Sequence, residues 1–170
     1  MSLLPDPTTE EPVERSRWAV ALLRVEESRV IALAETLAEQ HAVRMKRVPK
    51  AGLAMMRLRD SVKSQAFNLG EIPLSSAHVV FTDPHGTEHE GGCQIMRDHE
   101  GLAVAIAVCD GVLAAGVKGA AEVLALVREG LASLRNETAV RRGMRERSRV
   151  SFALMSQEDG SGGAGSGGDS

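Results

Sequence analysis

The sequence predicts an α+β protein in which helices cover one face of a central antiparallel sheet of three or four strands. Three observations carry this prediction. Apolar residues repeat at helical spacing near the start of the chain, alternate with polar residues through its middle, and return to helical patterns after Asp98. Helices before and after one run of strands are typical of the α+β class. The expected order is N-terminal helices, the central sheet, and long C-terminal helices.

Length and composition set the domain organisation. At 170 residues and 43% hydrophobic, the chain can bury one core of ordinary size, which predicts a single domain over 14–155. The prolines of "MSLLPDPTTEEPVE" predict a flexible lead-in over 1–13. The Gly/Ser-rich end predicts a disordered tail over 156–170.

Charge and composition disfavour several classes of protein. The net charge of -3 gives no overall field that attracts a polyanion, and the 2% aromatic content offers few platforms for stacked bases. The longest apolar run is too short to span a membrane. Cys93 and Cys109 lack C-x-x-C spacing and no signal peptide precedes them. We therefore expect a cytoplasmic protein with no membrane insertion and no direct binding of nucleic acid. The alternative is a nucleic-acid binder that uses the basic run from Arg141 to Arg149.

Two short helices should begin the ordered chain. The segment "RSRWAVALLRV" places Trp18, Leu22 and Val25 on one helical face, and "RVIALAETLAEQH" repeats apolar residues at the same spacing. The polar residues "EES" separate the two segments. Two helices in tandem are therefore expected.

The middle of the chain should form strands. "VRMKRVP" alternates apolar and basic residues, Pro49 and Gly52 predict a turn, and a second strand is expected from Leu53 to about Arg59. "PLSSAHVVF" and "TEHEGGCQIMR" predict two further strands, which "DPHG" joins by a tight turn.

Helices should return after the sheet. "HEGLAVAIAVCDGVLAAG" is apolar nearly all round, which predicts a helix buried against the sheet. Gly116 and Gly119 should end it. A long, partly buried helix follows, and the short piece "VSFALM" is expected after it.

The densest set of potential metal ligands is "HGTEHE", which contains His85, Glu88, His89 and Glu90. In a strand, side chains two residues apart share a face, so this set lacks the helical geometry of H-E-x-x-H. A solvated hairpin is the favoured interpretation, and no metal site is assigned. The alternative is a small metal-dependent phosphoryl-transfer or hydrolytic enzyme that uses this hairpin.

No independent active site is recognised in the sequence. It contains neither a G-x-x-x-x-G-K-[ST] nor a G-x-G-x-x-G nucleotide-binding loop, and it lacks a G-x-S-x-G nucleophile motif. Cys93 in an expected strand and Cys109 in an apolar helix are interpreted as buried structural thiols. No catalytic residue is assigned.

A basic pair and a glycine bend form the first candidate surface. Arg57 and Arg59 share a strand face, so both guanidinium groups could grip one phosphate or carboxylate surface, although a solvated face is the ordinary alternative. In "FNLGEI", Gly70 should supply a backbone conformation closed to other residues, and Glu71 can satisfy backbone groups of the bend. A purely structural corner between strands is the alternative for this turn.

Three segments together resemble the PhnG family, the G subunit of the bacterial carbon–phosphorus lyase core complex. They are "AGLAMMRLRDSVKSQAFNLGEIPLSSAHVVF", "GCQIMRDHEGLAVAIAVCD" and "VSFALMSQED". The order Arg-x-Arg, Phe-x-Leu-Gly-Glu, a Ser-Ser-Ala strand, Arg-Asp and an Ala-rich helix containing Asp110 carries the resemblance, which covers Arg15 to Asp159. Met96 and His78 depart from the family pattern, where Gly and Arg are common.

The resemblance implies a cytoplasmic subunit that assembles with the H, I and J subunits and transiently with an ATP-binding-cassette-like L subunit. The complex supports displacement of adenine from MgATP by a phosphonate, which gives an α-D-ribose 1-phosphonate 5-triphosphate. The resemblance also implies that the G subunit is a scaffolding partner that binds no cofactor itself, whereas the complex uses MgATP.

Two sets of residues are predicted to carry this function. The candidates for a surface that binds a partner or a phosphate are Arg57, Arg59, Gly70, Glu71, Arg97 and Asp98. The candidates for subunit contacts are the apolar residues Val20, Leu23, Leu124, Leu131 and Leu134, because there are more apolar stripes than one small sheet can cover. The alternative is that these residues only cover the sheet.

Overall fold

The computed structural model describes the backbone of residues 12–158 and the side chains of residues 12–146. A 3-10 turn at Arg15–Arg17 leads into the elements, which are α1 (Trp18–Leu22), α2 (Glu27–Gln40), β1 (Arg44–Arg59), β2 (Ala66–Thr82), β3 (Glu88–Ile95), α3 (Glu100–Ala115) and α4 (Ala120–Glu158). The strands form one antiparallel sheet in the order β1-β2-β3. The predicted α+β class is confirmed. Most of the predicted lead-in and tail lies outside the described residues.

The chain divides into two compact units. Residues up to Leu131 form the first unit, and residues from Ala132 onwards form the second. The sheet, α1 to α3 and the first part of α4 belong to the first unit. The single domain over 14–155 stays a prediction.

Helix α3 is the centre of the first unit. It is buried nearly all round, as its apolar sequence predicts. Alternate side chains of β2 are buried on one face of the sheet, and Val79 and Phe81 are among them. At Gly91 of β3 the two backbones approach so closely that a Cβ there would overlap the carbonyl oxygen of Ala107 and lie 2.6 Å from the amide nitrogen of Gly111. Glycine at both positions lets the helix lie directly on the strand.

Both cysteines are buried within this core. Burial, and to a lesser extent the nearby charge of Asp110, raises the pKa of the Cys93 and Cys109 thiols to about 12. A thiol with such a pKa is protonated at neutral pH and is a poor nucleophile. The two residues are therefore structural, as the sequence predicts.

The predicted turn at Pro49 and Gly52 is wrong. Strand β1 runs unbroken from Arg44 to Arg59, and the predicted first two strands are therefore one. The pairing with β2 shifts register between Arg47 and Lys50, around Pro49. Proline lacks an N–H group and is tolerated on an edge strand or at a bulge, and β1 is an edge strand.

The predicted corner at "FNLGEI" is also wrong, because the segment lies inside β2. Met56 pairs with Gly70 and Arg57 with Asn68, so Leu69 is an extra residue that forms a bulge. Gly70 has a φ of 146°, which other residues rarely adopt. The special glycine conformation therefore exists, but it serves a bulge rather than a corner.

Two further boundaries can be compared with the sequence. Gly116, at a φ of 64°, ends α3 and α4 begins at Ala120, as predicted. The piece "VSFALM" is not separate from the last helix, because α4 continues to Glu158. No single helix among the described residues has the length and apolar character needed to cross a membrane, although α3 and residues 120–146 pass that test as a bent pair.

Candidate functional site

The β1–β2 hairpin extends beyond the third strand. Strand β3 pairs with β2 only from Ser75 to Thr82, whereas β1 and β2 remain paired as far as Arg59 and Ala66. We call residues 51–74, which form this two-stranded ribbon and its turn, the arm. At a rise of about 3.3 Å per residue, the arm extends roughly 25 Å past the end of β3.

The register of the arm gives it two different faces, because residues paired across an antiparallel ladder share a face. One face, here called the apolar face, carries Ala54, Met56, Leu58, Phe67, Ile72 and Leu74. The other, the basic face, carries Arg57 and Arg59 together with Leu53, Met55, Asn68 and Glu71. Leu58 is 41% exposed and Phe67 is 47% exposed, so apolar surface remains uncovered at the far end of the arm.

The unpaired positive charges of the sheet lie on the arm and at its base. Lys50, Arg57, Arg59 and Lys63 have no ion-pair partner among the side chains of residues 12–146, and the same holds for Arg47. By contrast, the basic residues at the start of β1 are paired, Arg44 with Glu88 and Lys46 with Glu90. Between residues 47 and 74, basic side chains outnumber acidic ones five to two, although the whole chain has a net charge of -3.

The turn at the tip of the arm uses one of its two carboxylates. Asp60 accepts hydrogen bonds from the amides of Val62 at 2.9 Å and Lys63 at 3.2 Å. Val62 itself is 86% exposed. The tip therefore presents an apolar side chain and an unpaired Lys63 to solvent.

The structure does not bring all six predicted surface residues together. Arg57, Arg59 and Glu71 lie on the basic face of the arm, and Gly70 forms its bulge. Arg97 and Asp98 instead follow β3 near the base of the arm, where Arg97 forms an ion pair with Glu27 of α2. Neither residue takes part in the ribbon pairing.

The predicted interface residues occupy different environments. Val20 is 50% exposed, and Leu23 and Leu124 are half-buried. Leu131 is 4% exposed and packs in the core of its own unit. Leu134 belongs to the second unit and is half-buried. Their role in subunit contacts stays a prediction, but Leu131 is already covered within the chain.

Sequence reasoning missed a polar cluster at the edge of β3. The Asp110 carboxylate accepts two hydrogen bonds from Arg15, Nε at 2.9 Å and Nη2 at 2.6 Å, and a third from the Gly92 amide at 3.0 Å. Beside it, Glu90 accepts from Lys46 and from His78. The positive and negative charges of this cluster compensate one another, which indicates a structural role. We call the contact between Arg15 and Asp110 the clamp. The resemblance named Asp110, but no local pattern marks Arg15 as its partner.

Another missed residue is Ser75, a polar side chain that is fully buried. Its hydroxyl donates to the Arg97 carbonyl at 2.8 Å and accepts from the His99 amide at 3.1 Å. His99 in turn accepts from the Leu102 amide at 3.0 Å and caps α3. The first serine of the Ser-Ser-Ala strand therefore fixes the loop between β3 and α3.

Three of the four potential metal ligands of the β2–β3 hairpin have other partners. His89 contacts Asp83 at 3.0 Å, and Glu88 pairs with Arg44 at 3.3 Å. Among the described residues, no three His, Cys, Asp or Glu side chains are grouped so that they could hold a metal ion. The geometry therefore gives no support to the metal-dependent enzyme.

The hairpin turn lowers the pKa of Asp83 to about 2, chiefly through its hydrogen bond with His89 and further through the amides of Thr87 and His85. Because the pKa is lowered by folding, the stabilisation is present above the ordinary pKa and is lost as the pH falls through about 2. In His89→Ala, we expect the pKa of Asp83 to rise toward its ordinary value of 3.8 without reaching it, since the amide donors remain. Carboxyl NMR titration measures this shift, and an unchanged midpoint would contradict it.

These features define a small α+β protein that presents an apolar and basic hairpin arm. The family model described as phosphonate metabolism protein PhnG matches residues 13–157. The chain therefore belongs to the PhnG family and has a role in phosphonate metabolism. No curated protein matches the chain.

Proposed function

We propose that this protein is the G subunit of a cytoplasmic carbon–phosphorus lyase core complex. It assembles with the H, I and J subunits, and transiently with the L subunit. In this assembly it is needed for the displacement of adenine from MgATP by a phosphonate, which yields an α-D-ribose 1-phosphonate 5-triphosphate. Its own contribution is to bind partners rather than to perform the chemistry.

The observation that carries this proposal is the arm, which exposes apolar side chains and unpaired cations on a two-stranded ribbon that extends past the end of β3. Exposed apolar surface of this kind is typical of protein–protein contacts. The described titratable groups support a binding role as well. Both thiols have a raised pKa, and the carboxylates Glu90 and Asp110 are held by basic partners.

No cofactor is assigned to this chain alone. MgATP is the substrate of the proposed complex, and the complex as a whole would bind it. The unpaired cations of the arm are available for a carboxylate-bearing or phosphate-bearing surface. The preference for one phosphonate over another is then a property of the assembly.

Co-purification tests the proposal. This chain, carrying the only tag, is expressed with the H, I and J subunits of the same source, and the eluate is weighed by native mass spectrometry. We expect a particle that contains all four chains. With the L subunit, MgATP and methylphosphonate, the particle should release adenine, and omission of this chain should abolish the release. A tagged chain that elutes alone would overturn the proposal.

A further inference from the structure

We propose that the arm inserts into a cleft of an acidic partner protein, with an apolar floor against the apolar face and carboxylates against the basic face. The inference rests on the proposed function, because it assigns the surface through which this chain joins its complex. It places the principal contact with the other subunits on the arm rather than on the apolar helix residues predicted for subunit contacts.

The first reason is the marginal stability of the arm on its own. A two-stranded ribbon without a third strand or a packed helix is barely stable in water. Among the strands, helix α3 packs on β3 and β2 and makes little contact with β1. The buried β2 side chains lie between Ser75 and Phe81, outside the arm. Along the arm, the outer edges of β1 and β2 have no strand partner among the described residues. A partner that covers the apolar face would supply the missing packing.

The second reason is charge. The arm and its base carry five basic and two acidic side chains, and Asp60 is already bonded to amides of the tip. Arg57 and Arg59 project from the same face without a carboxylate partner among the described side chains. Two arms with the same excess of positive charge would repel each other, so a second copy of the arm is a poor occupant. A partner surface rich in Asp and Glu complements it.

The third reason is the arrangement of the two faces. Apolar side chains are exposed on both sides of the ribbon, Leu58 and Phe67 on one side, and Leu53 (68%) and Met55 (55%) beside the two arginines on the other. A flat anionic membrane could meet only one of these sides at a time. A concave protein surface can contact both, and it can also pair with an edge of the ribbon. The geometry therefore favours a protein cleft over a lipid surface.

The test measures assembly of full-length variants with the H, I and J subunits. One variant, Arg57→Glu with Arg59→Glu, reverses the basic face. A second, Leu58→Glu with Phe67→Glu, places charge on the apolar face at a directly paired position. Met96→Glu is the matched control, because Met96 is 67% exposed but lies outside the arm. Circular dichroism of each isolated variant checks that the core remains folded.

We expect both arm variants to bind the other subunits at least about tenfold more weakly, as the loss of a central interface anchor does, and the control to bind like the wild type. The charge reversal should also remove most of the salt dependence of binding. If the wild type assembles and the folded arm variants assemble equally well, this inference is wrong while the proposed function stands. If the wild type does not assemble, the proposed function fails and the inference fails with it. Binding of the arm to anionic phospholipid vesicles at physiological salt, lost in the arm variants, would replace the protein cleft with a membrane.

Discussion

Gly91→Ala is expected to lower the free energy of unfolding by roughly 3 kcal/mol, at the upper end of the usual cost of overpacking a core. The added Cβ would overlap the Ala107 carbonyl oxygen and press on the backbone of Gly111. These contacts are with backbone atoms of the buried helix α3, so no flexible side chain can move aside. Strand and helix would have to separate, and the buried Phe81 ring lies beside Gly111 at this contact. Urea denaturation followed by circular dichroism measures the change.

Gly92→Ala is the matched control for this prediction. Its Cβ would meet only the Ala77 carbonyl oxygen, at 4.0 Å, which is ordinary van der Waals contact. The two glycines are neighbours in the same strand, so the change in strand propensity is the same for both. We expect Gly92→Ala to lie within about 1 kcal/mol of the wild type. Equal losses in the two variants would show that close approach of α3 is not what requires glycine at position 91.

The parts of the fold that follow local rules could be predicted from the sequence. Helix α3 is apolar nearly all round, and only a helix enclosed by other elements satisfies that pattern. Its end at Gly116 follows from the left-handed conformation that glycine adopts after a helix. The turn from Asp83 to Thr87 likewise depends on local hydrogen bonds of Asp83 and on Gly86 at a φ of 85°. These elements need no knowledge of what lies far away in the chain.

Strand β1 shows why other elements could not be predicted. A proline usually ends a strand. At a sheet edge, however, the missing N–H of Pro49 costs no ladder hydrogen bond. Whether a strand lies at the edge depends on strand order, which the local pattern does not contain. Gly70 was recognised as a special backbone position, yet only the pairing of Met56 and Arg57 with β2 identifies a bulge.

The candidate surface was predictable in part for the same reason. The alternation of a strand places Arg57 and Arg59 on one face, and the pairing agrees. The apolar face opposite them can be identified only from the register between β1 and β2. Its exposure follows only from the end of β3 at Ile95, which pairs with Ser75 of β2. Ser75 itself resembles any strand serine in the sequence. Its buried hydroxyl becomes informative only when the loop it anchors is seen.

Removal of the Asp110 carboxylate is the second change expected to have a large effect. Asp110→Ala should lower the free energy of unfolding by about 2–3 kcal/mol, because it deletes a charge-assisted contact with Arg15 and leaves the Gly92 amide without its acceptor. Arg15→Ala should cost less, since the Arg15 side chain is 55% exposed whereas that of Asp110 is 12% exposed. Thermal and urea unfolding measure both changes.

A double-mutant cycle separates this clamp from an ordinary surface ion pair. The pair between Arg29 and Glu129 also has two hydrogen bonds, at 2.6 Å and 2.9 Å, but both side chains are about half exposed. Solvent screens such a pair, so its coupling energy should be the smaller of the two and should fall further in 1 M salt, which reduces the screening length to about 3 Å. The coupling between Arg15 and Asp110 should survive salt better, because the carboxylate is largely enclosed and also bound to the backbone. Equal coupling energies in the two cycles would mean that the pair of Arg15 and Asp110 is an ordinary surface ion pair. The place of Asp110 in the family pattern would then need an explanation other than the clamp.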